Sequence, residues 1–243
     1  MKQKHLSHQF PKAHLWLLIP FIITILGFYF SYWSKLGEVP FRDHGHGITA
    51  TLWYVLLIIQ PWIYNNKSLK LHRKVGFIGL FLAGGVVFSA LQVIPYNIVS
   101  GLTEYLKYGL SFFDFGALIG FSLSVIMAMI HSKSRDKHSR WMISTVFWVL
   151  QPAVSRLIFF PMVIVTEGNP PIEFIDAIYL SLLSVIIPVL IMLYVDYKKY
   201  KTAYNAYLFA LGGTIVLTLL VKVMGTTEWW IEWCNTTLAR GLK

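Results

Sequence analysis

Long apolar runs alternate with short polar or basic segments along the whole chain. A helix rises about 1.5 Å per residue, so crossing a hydrocarbon core of about 30 Å takes roughly 20 apolar residues. Seven stretches meet that length, at about 14–33, 46–64, 75–98, 109–130, 141–162, 174–195 and 203–224. The pattern predicts an all-α integral membrane bundle of seven transmembrane helices, whose short loops make successive helices antiparallel neighbours. Residues 1–243 are expected to form this single transmembrane domain, with 1–13 a cytoplasmic basic tail and 225–243 an outer interfacial tail.

The basic residues give the bundle a direction. Lys2, Lys4 and Lys12 precede the first span, and Lys67, Lys70, Arg73 and Lys74 lie between the second and third. Lys133, Arg135, Lys137 and Arg140 lie between the fourth and fifth, and Lys198, Lys199 and Lys201 between the sixth and seventh. Alternate connections thus carry 14 of the 21 basic residues, opposed there only by Asp136 and Asp196. Positive-inside logic places the N-terminus in the cytoplasm and the C-terminus outside. Topology alone accounts for Arg73, Lys74 and Arg140 on this reading. Past the last span, Trp229, Trp230 and Trp233 suit the headgroup layer of the outer face.

Composition closes off other classes. At 56% hydrophobic and 13% charged residues, the chain has too many apolar side chains for a soluble interior of this size. A net charge of +10 would suit a nucleic-acid binder only if it formed a face on a soluble body, whereas here it is confined to loops. The expected partner is the lipid bilayer and not nucleic acid. The lone Cys234 excludes an intramolecular disulfide and cysteine-rich metal sites.

Polar residues within spans are costly and therefore informative. His46, Trp53 and Gln60 recur every seven residues and share one face of the second span. Ser144, Trp148, Gln151 and Ser155 form a similar stripe on the fifth, where Pro152 frees a backbone carbonyl in mid-membrane. Arg156 lies 16 residues beyond Arg140, at a depth matching Asp114 on the fourth span. The spacing predicts an Asp114–Arg156 pair, joined by His46, either as a structural pair or as an outward-facing site for an anionic or quinone-like ligand. Together His46, Trp53, Gln60, Asp114, Gln151 and Arg156 are the expected polar intramembrane site.

The histidines suggest a second site. His72 opens the third span, while His131 closes the fourth and His138 opens the fifth. Imidazoles from facing helices are the usual protein ligands of six-coordinate haem b. His72 and His138, with His131 nearby, are the expected cofactor ligands, for one haem b or a transition metal. Two haems are not expected, because Asp114 stands where a second outer histidine would be needed. His44 and His46 in DHGHGI, beside Asp43, are the candidate zinc or copper ligands. A weak repeat links the second and third spans to the fourth and fifth: His46 to His72 covers 26 residues and Asp114 to His138 covers 24. It predicts a core of two helix hairpins made by helices two to five, with one, six and seven peripheral.

These features together resemble a family of bacterial multi-pass membrane proteins, domain of unknown function 2306 or a close relative. The matching features are HG at 46–47, Trp53, Gln60, LHRKVG at 71–76, KHSRWM at 137–142 and Arg156, across about residues 44–160. The resemblance implies a multi-pass membrane protein and brings no activity or cofactor. A looser similarity to cytochrome b561-type bundles is architectural only. Three functions follow from the residues: a redox protein holding one haem or metal with a quinone near His46, Asp114 and Arg156; a permease or lipid binder for a small hydrophobic ligand; and an assembly subunit of a membrane complex.

Overall fold

A computed structural model describes residues 12–240 and 242; His5, His8 and most of the basic tail lie outside the described residues. Every regular element among the described residues is a helix. In chain order the α-helices are α1 (Ala13–Trp16), α2 (Leu18–Gly27), α3 (Phe41–Asn66), α4 (Leu69–Val93) and α5 (Glu104–Ile130). There follow α6 (Arg135–Val165), α7 (Phe174–Ser181), α8 (Leu183–Tyr200), α9 (Asn205–Gly225) and α10 (Glu228–Trp233). Six segments are long and apolar enough to cross a membrane: α3, α4 with its continuation to Asn97, α5, α6, α7 with α8, and α9. These match the second to seventh predicted spans. The first differs, because α1 and α2 are short and residues 28–39 continue as turns.

Local chemistry sets the helix ends. Ser68 caps α4, its hydroxyl oxygen accepting from the Leu71 N–H at 3.1 Å. Glu173 and Asp176 form a reciprocal capping box at the start of α7. Asp43 and Glu104 sit in the first turns of α3 and α5, where the helix dipole favours negative charge.

The α3–α4 and α5–α6 hairpins both form. The predicted peripheral place of the last span is corrected by the packing. Helix α9 runs antiparallel to α5 in its most extensive interhelical contact, and Ala206, Tyr207, Ala210, Thr214, Thr218 and Val221 are wholly buried. These residues recur every three or four positions, so one complete face is turned inward. Glycines permit the close approach: a Cβ at Gly109 would strike the Val221 carbonyl, and one at Gly225 the Tyr105 carbonyl. The two hairpins, by contrast, touch each other sparsely. Space is left between them at both ends.

At the end carrying the basic loops, the topological account of Arg140 is also corrected. Arg140 is 0% exposed and Asp196 2%. The guanidinium donates from Nε to Asp196 Oδ2 at 2.6 Å and from Nη2 to Oδ1, while Nη1 donates to the Asp136 carbonyl at 2.9 Å. The Tyr204 ring centre lies 3.7 Å from the guanidinium carbon. The pair ties the start of α6 to the last turns of α8.

At the opposite end the C-terminal segment folds onto α5. Trp230 Nε1 donates to the Tyr108 carbonyl at 2.9 Å, and Asn235 Nδ2 donates to the Tyr108 hydroxyl at 3.0 Å. Trp229 stays largely exposed, while Cys234 is wholly buried.

Candidate functional site

Among the described residues, the sparse contact between the hairpins leaves a cavity toward each end of the bundle. The larger, about 810 Å³, lies at the end with the basic loops and is walled by α3, α4, α6, the end of α5 and, at Ala13 and Leu17, the first segment. The smaller, about 320 Å³, lies toward the other end. Trp53 belongs to the wall of both. Its indole is fixed by donation from Nε1 to Thr145 Oγ1 at 3.2 Å and by an edge contact with Phe121, ring centres 5.1 Å apart.

The larger cavity brings His72 and His138 together from α4 and α6. Their ring centres are 6.3 Å apart, with planes at 82°. His138 Nδ1 lies 2.8 Å from the Ala128 carbonyl. A carbonyl only accepts, so Nδ1 carries a hydrogen, and in the neutral ring the lone pair is on Nε2. His72 packs edge-on to Tyr64, ring centres 5.5 Å apart, and its Nδ1 is buried with no partner. Gln60 Nε2 donates to the His72 carbonyl at 3.3 Å, and its buried Oε1 has no partner either. Arg73, Lys133 and Arg135 stand around the same cavity.

His131 is not brought to this pair: its Nδ1 turns back to the Met127 carbonyl at 2.8 Å, closing α5, and the ring is not on the cavity wall. The candidate metal pair is separated as well. The Tyr32 hydroxyl and His44 Nδ1 are 3.2 Å apart, whereas His46 Nδ1 lies 3.3 Å from Ser89 Oγ. Among the described residues, no three His, Cys, Asp or Glu side chains gather as a metal site. The helix begins at Phe41, before the predicted start near residue 46, so His44 and His46 stand about 200° apart around it.

Five of the six expected polar residues, His46, Trp53, Asp114, Gln151 and Arg156, line the smaller cavity; Gln60 lines the larger. The expected Asp114–Arg156 ion pair is absent from the described ion pairs. Asp114 Oδ2 accepts instead from Asn97 Nδ2 at 2.9 Å, and Arg156 Nη1 donates to the Pro152 carbonyl at 2.8 Å. Asn97 is not readable as a partner from spacing, because the turn at Pro95 takes the chain out of α4 into a short 3₁₀ helix that re-aims the residue. Gln151 Nε2 donates to Thr218 Oγ1 at 2.8 Å, a link to α9 that a peripheral place for that helix would not allow.

No family profile, no curated protein and no solved structure matches this chain.

Proposed function

We propose that this is a multi-pass redox protein of the bacterial inner membrane that holds one haem b between His72 and His138. The histidine pair carries the reading. Their ring centres stand 6.3 Å apart on the wall of one cavity, close enough that both imidazoles would reach one haem iron. The Ala128 carbonyl holds His138 in the tautomer that leaves Nε2 to ligate, an orienting contact typical of metal-bound histidine. The cavity beside the pair, about 810 Å³, has apolar walls for a macrocycle, and Arg73, Lys133 and Arg135 suit its propionates. Haem bound there would supply one-electron transfer.

The chain's own residues do the rest. Gln60 anchors the first turn of α4 through the His72 carbonyl, and Trp53 closes the cavity toward the membrane interior. The likeness to the domain of unknown function 2306 rests on residues that line these cavities: His46, Trp53, Gln60, His72, His138 and Arg156. Seven spans with the N-terminus in the cytoplasm belong to the same reading. Its support is that Leu17 lines the larger cavity and Phe28 the smaller, so the first segment passes both.

The absorption spectrum of protein purified from haem-replete cells tests the proposal. A Soret band that is lost in both His72→Ala and His138→Ala is the expected result. A colourless wild-type protein that takes up no added haem would overturn it.

A further inference from the structure

Arg156 and Asp114 share the smaller cavity without closing into an ion pair. Pairs kept only for structure close up, since attraction must repay the desolvation of both charges. Here each group is held by a neighbour instead, Asp114 by Asn97 and Arg156 by the Pro152 carbonyl, with the guanidinium carbon 4.9 Å from the Phe28 ring centre. Each keeps capacity to spare: Asp114 its second oxygen, Arg156 the donors on Nε and Nη2. Gln151, 1% exposed on the same wall, adds an Oε1 that is buried and accepts from nothing. Its amide is committed elsewhere, to the Ile178 carbonyl at 3.3 Å and to Thr218. A buried acceptor left open beside an unpaired cation and anion marks a place where something else completes the bonding.

We propose that this cavity binds the head group of a neutral, lipid-soluble quinone or quinol. The one cation and one anion balance, which gives no advantage to a ligand with net charge. Arg156 offers donors to a ligand carbonyl or hydroxyl oxygen, while Asp114 and Gln151 accept from ligand hydroxyls. Phe113, Phe121 and Trp148 supply flat apolar walls, and about 320 Å³ is the size of a small-molecule head-group site. The proposal is independent of haem in the other cavity.

Titration of delipidated protein in detergent with a short-chain ubiquinone analogue tests it, read by quenching of fluorescence from Trp53 and Trp148 on the cavity wall. Saturable quenching is expected, with affinity about tenfold or more weaker in Asp114→Asn and Arg156→Gln. His72→Ala, on the other cavity, should bind the analogue as the wild type does, so failure of the haem reading leaves this result standing. Should a charge variant fail to fold, Gln151→Leu takes its place and should weaken binding in the same sense. No saturable quenching in the wild type, undiminished affinity in the folded cavity variants, or displacement by oleate as effective as by quinone would overturn the proposal.

Discussion

Arg140 and Asp196, 56 residues apart, form a two-point ion pair sealed from solvent at the end of the bundle that carries the basic loops. A planar guanidinium meeting both carboxylate oxygens suits burial better than an ammonium could. Removing one partner strands the other charge, a loss of about 3–5 kcal/mol, whereas replacing both by apolar residues of similar size is near neutral. Asp196→Ala and Arg140→Lys should therefore lower the melting temperature in detergent markedly. The double variant Arg140→Met with Asp196→Leu should recover most of the loss. Equal losses in single and double variants would contradict the pairing.

Trp53 is the common wall of the two cavities. Trp53→Ala should cost about 3–5 kcal/mol as a large-to-small core change. Trp53→Phe keeps most of the wall and loses the bond to Thr145, about 1 kcal/mol. The Thr145 hydroxyl still donates to the Met142 carbonyl at 2.7 Å in that variant, so no buried hydroxyl hydrogen is left without an acceptor. Thermal unfolding of the two variants checks the ordering; a Phe variant as damaged as the Ala variant would mean the hydrogen bond dominates.

The close approach of α5 and α9 gives a third expectation. Gly109→Val and Gly225→Ala would drive side-chain atoms into the backbone carbonyls of Val221 and Tyr105, where no flexible neighbour can yield. Each should destabilise the protein by about 1–3 kcal/mol or more. Gly212→Ala, on the same helix with open space around its Cα, should be neutral or better. A stability ranking by thermal melts distinguishes these outcomes.

Hydropathy and spacing reach as far as the single helix. Length and apolarity locate the six long spans, and seven-residue spacing puts His46 and Trp53 on one cavity wall, because both are properties of one helix. What they miss depends on which helices meet. By sequence Asp196 reads as a loop charge because nothing local links it to Arg140, although an acid so isolated among lysines is itself a signal. The small and polar stripe Ala206, Ala210, Thr214, Thr218 is legible as a packing face, yet the repeat of hairpins draws the core elsewhere. Asp114 and Arg156 match in depth but not in rotamer choice, which Asn97 and the Pro152 carbonyl decide.

Cys234 offers a probe of the C-terminal segment. It is wholly buried against the α5 end of the bundle, and burial pushes its thiol from 9.0 up to about 12. Only the thiolate reacts readily, so iodoacetamide at pH 8 should leave the native protein unlabelled and modify it once unfolded. The linkage has a definite sign. The folded state holds the proton more tightly than the unfolded one, so this contribution to stability is present below about pH 9 and falls as pH rises toward 12. Cys234→Ala should remove that part of the alkaline decline while leaving a small cavity. Trp230→Ala, by loosening the segment from Tyr108, should make Cys234 labelling at pH 8 fast without global unfolding. Mass spectrometry of the alkylated protein over time reads both outcomes, and rapid labelling of the intact wild type would show that the segment does not stay docked.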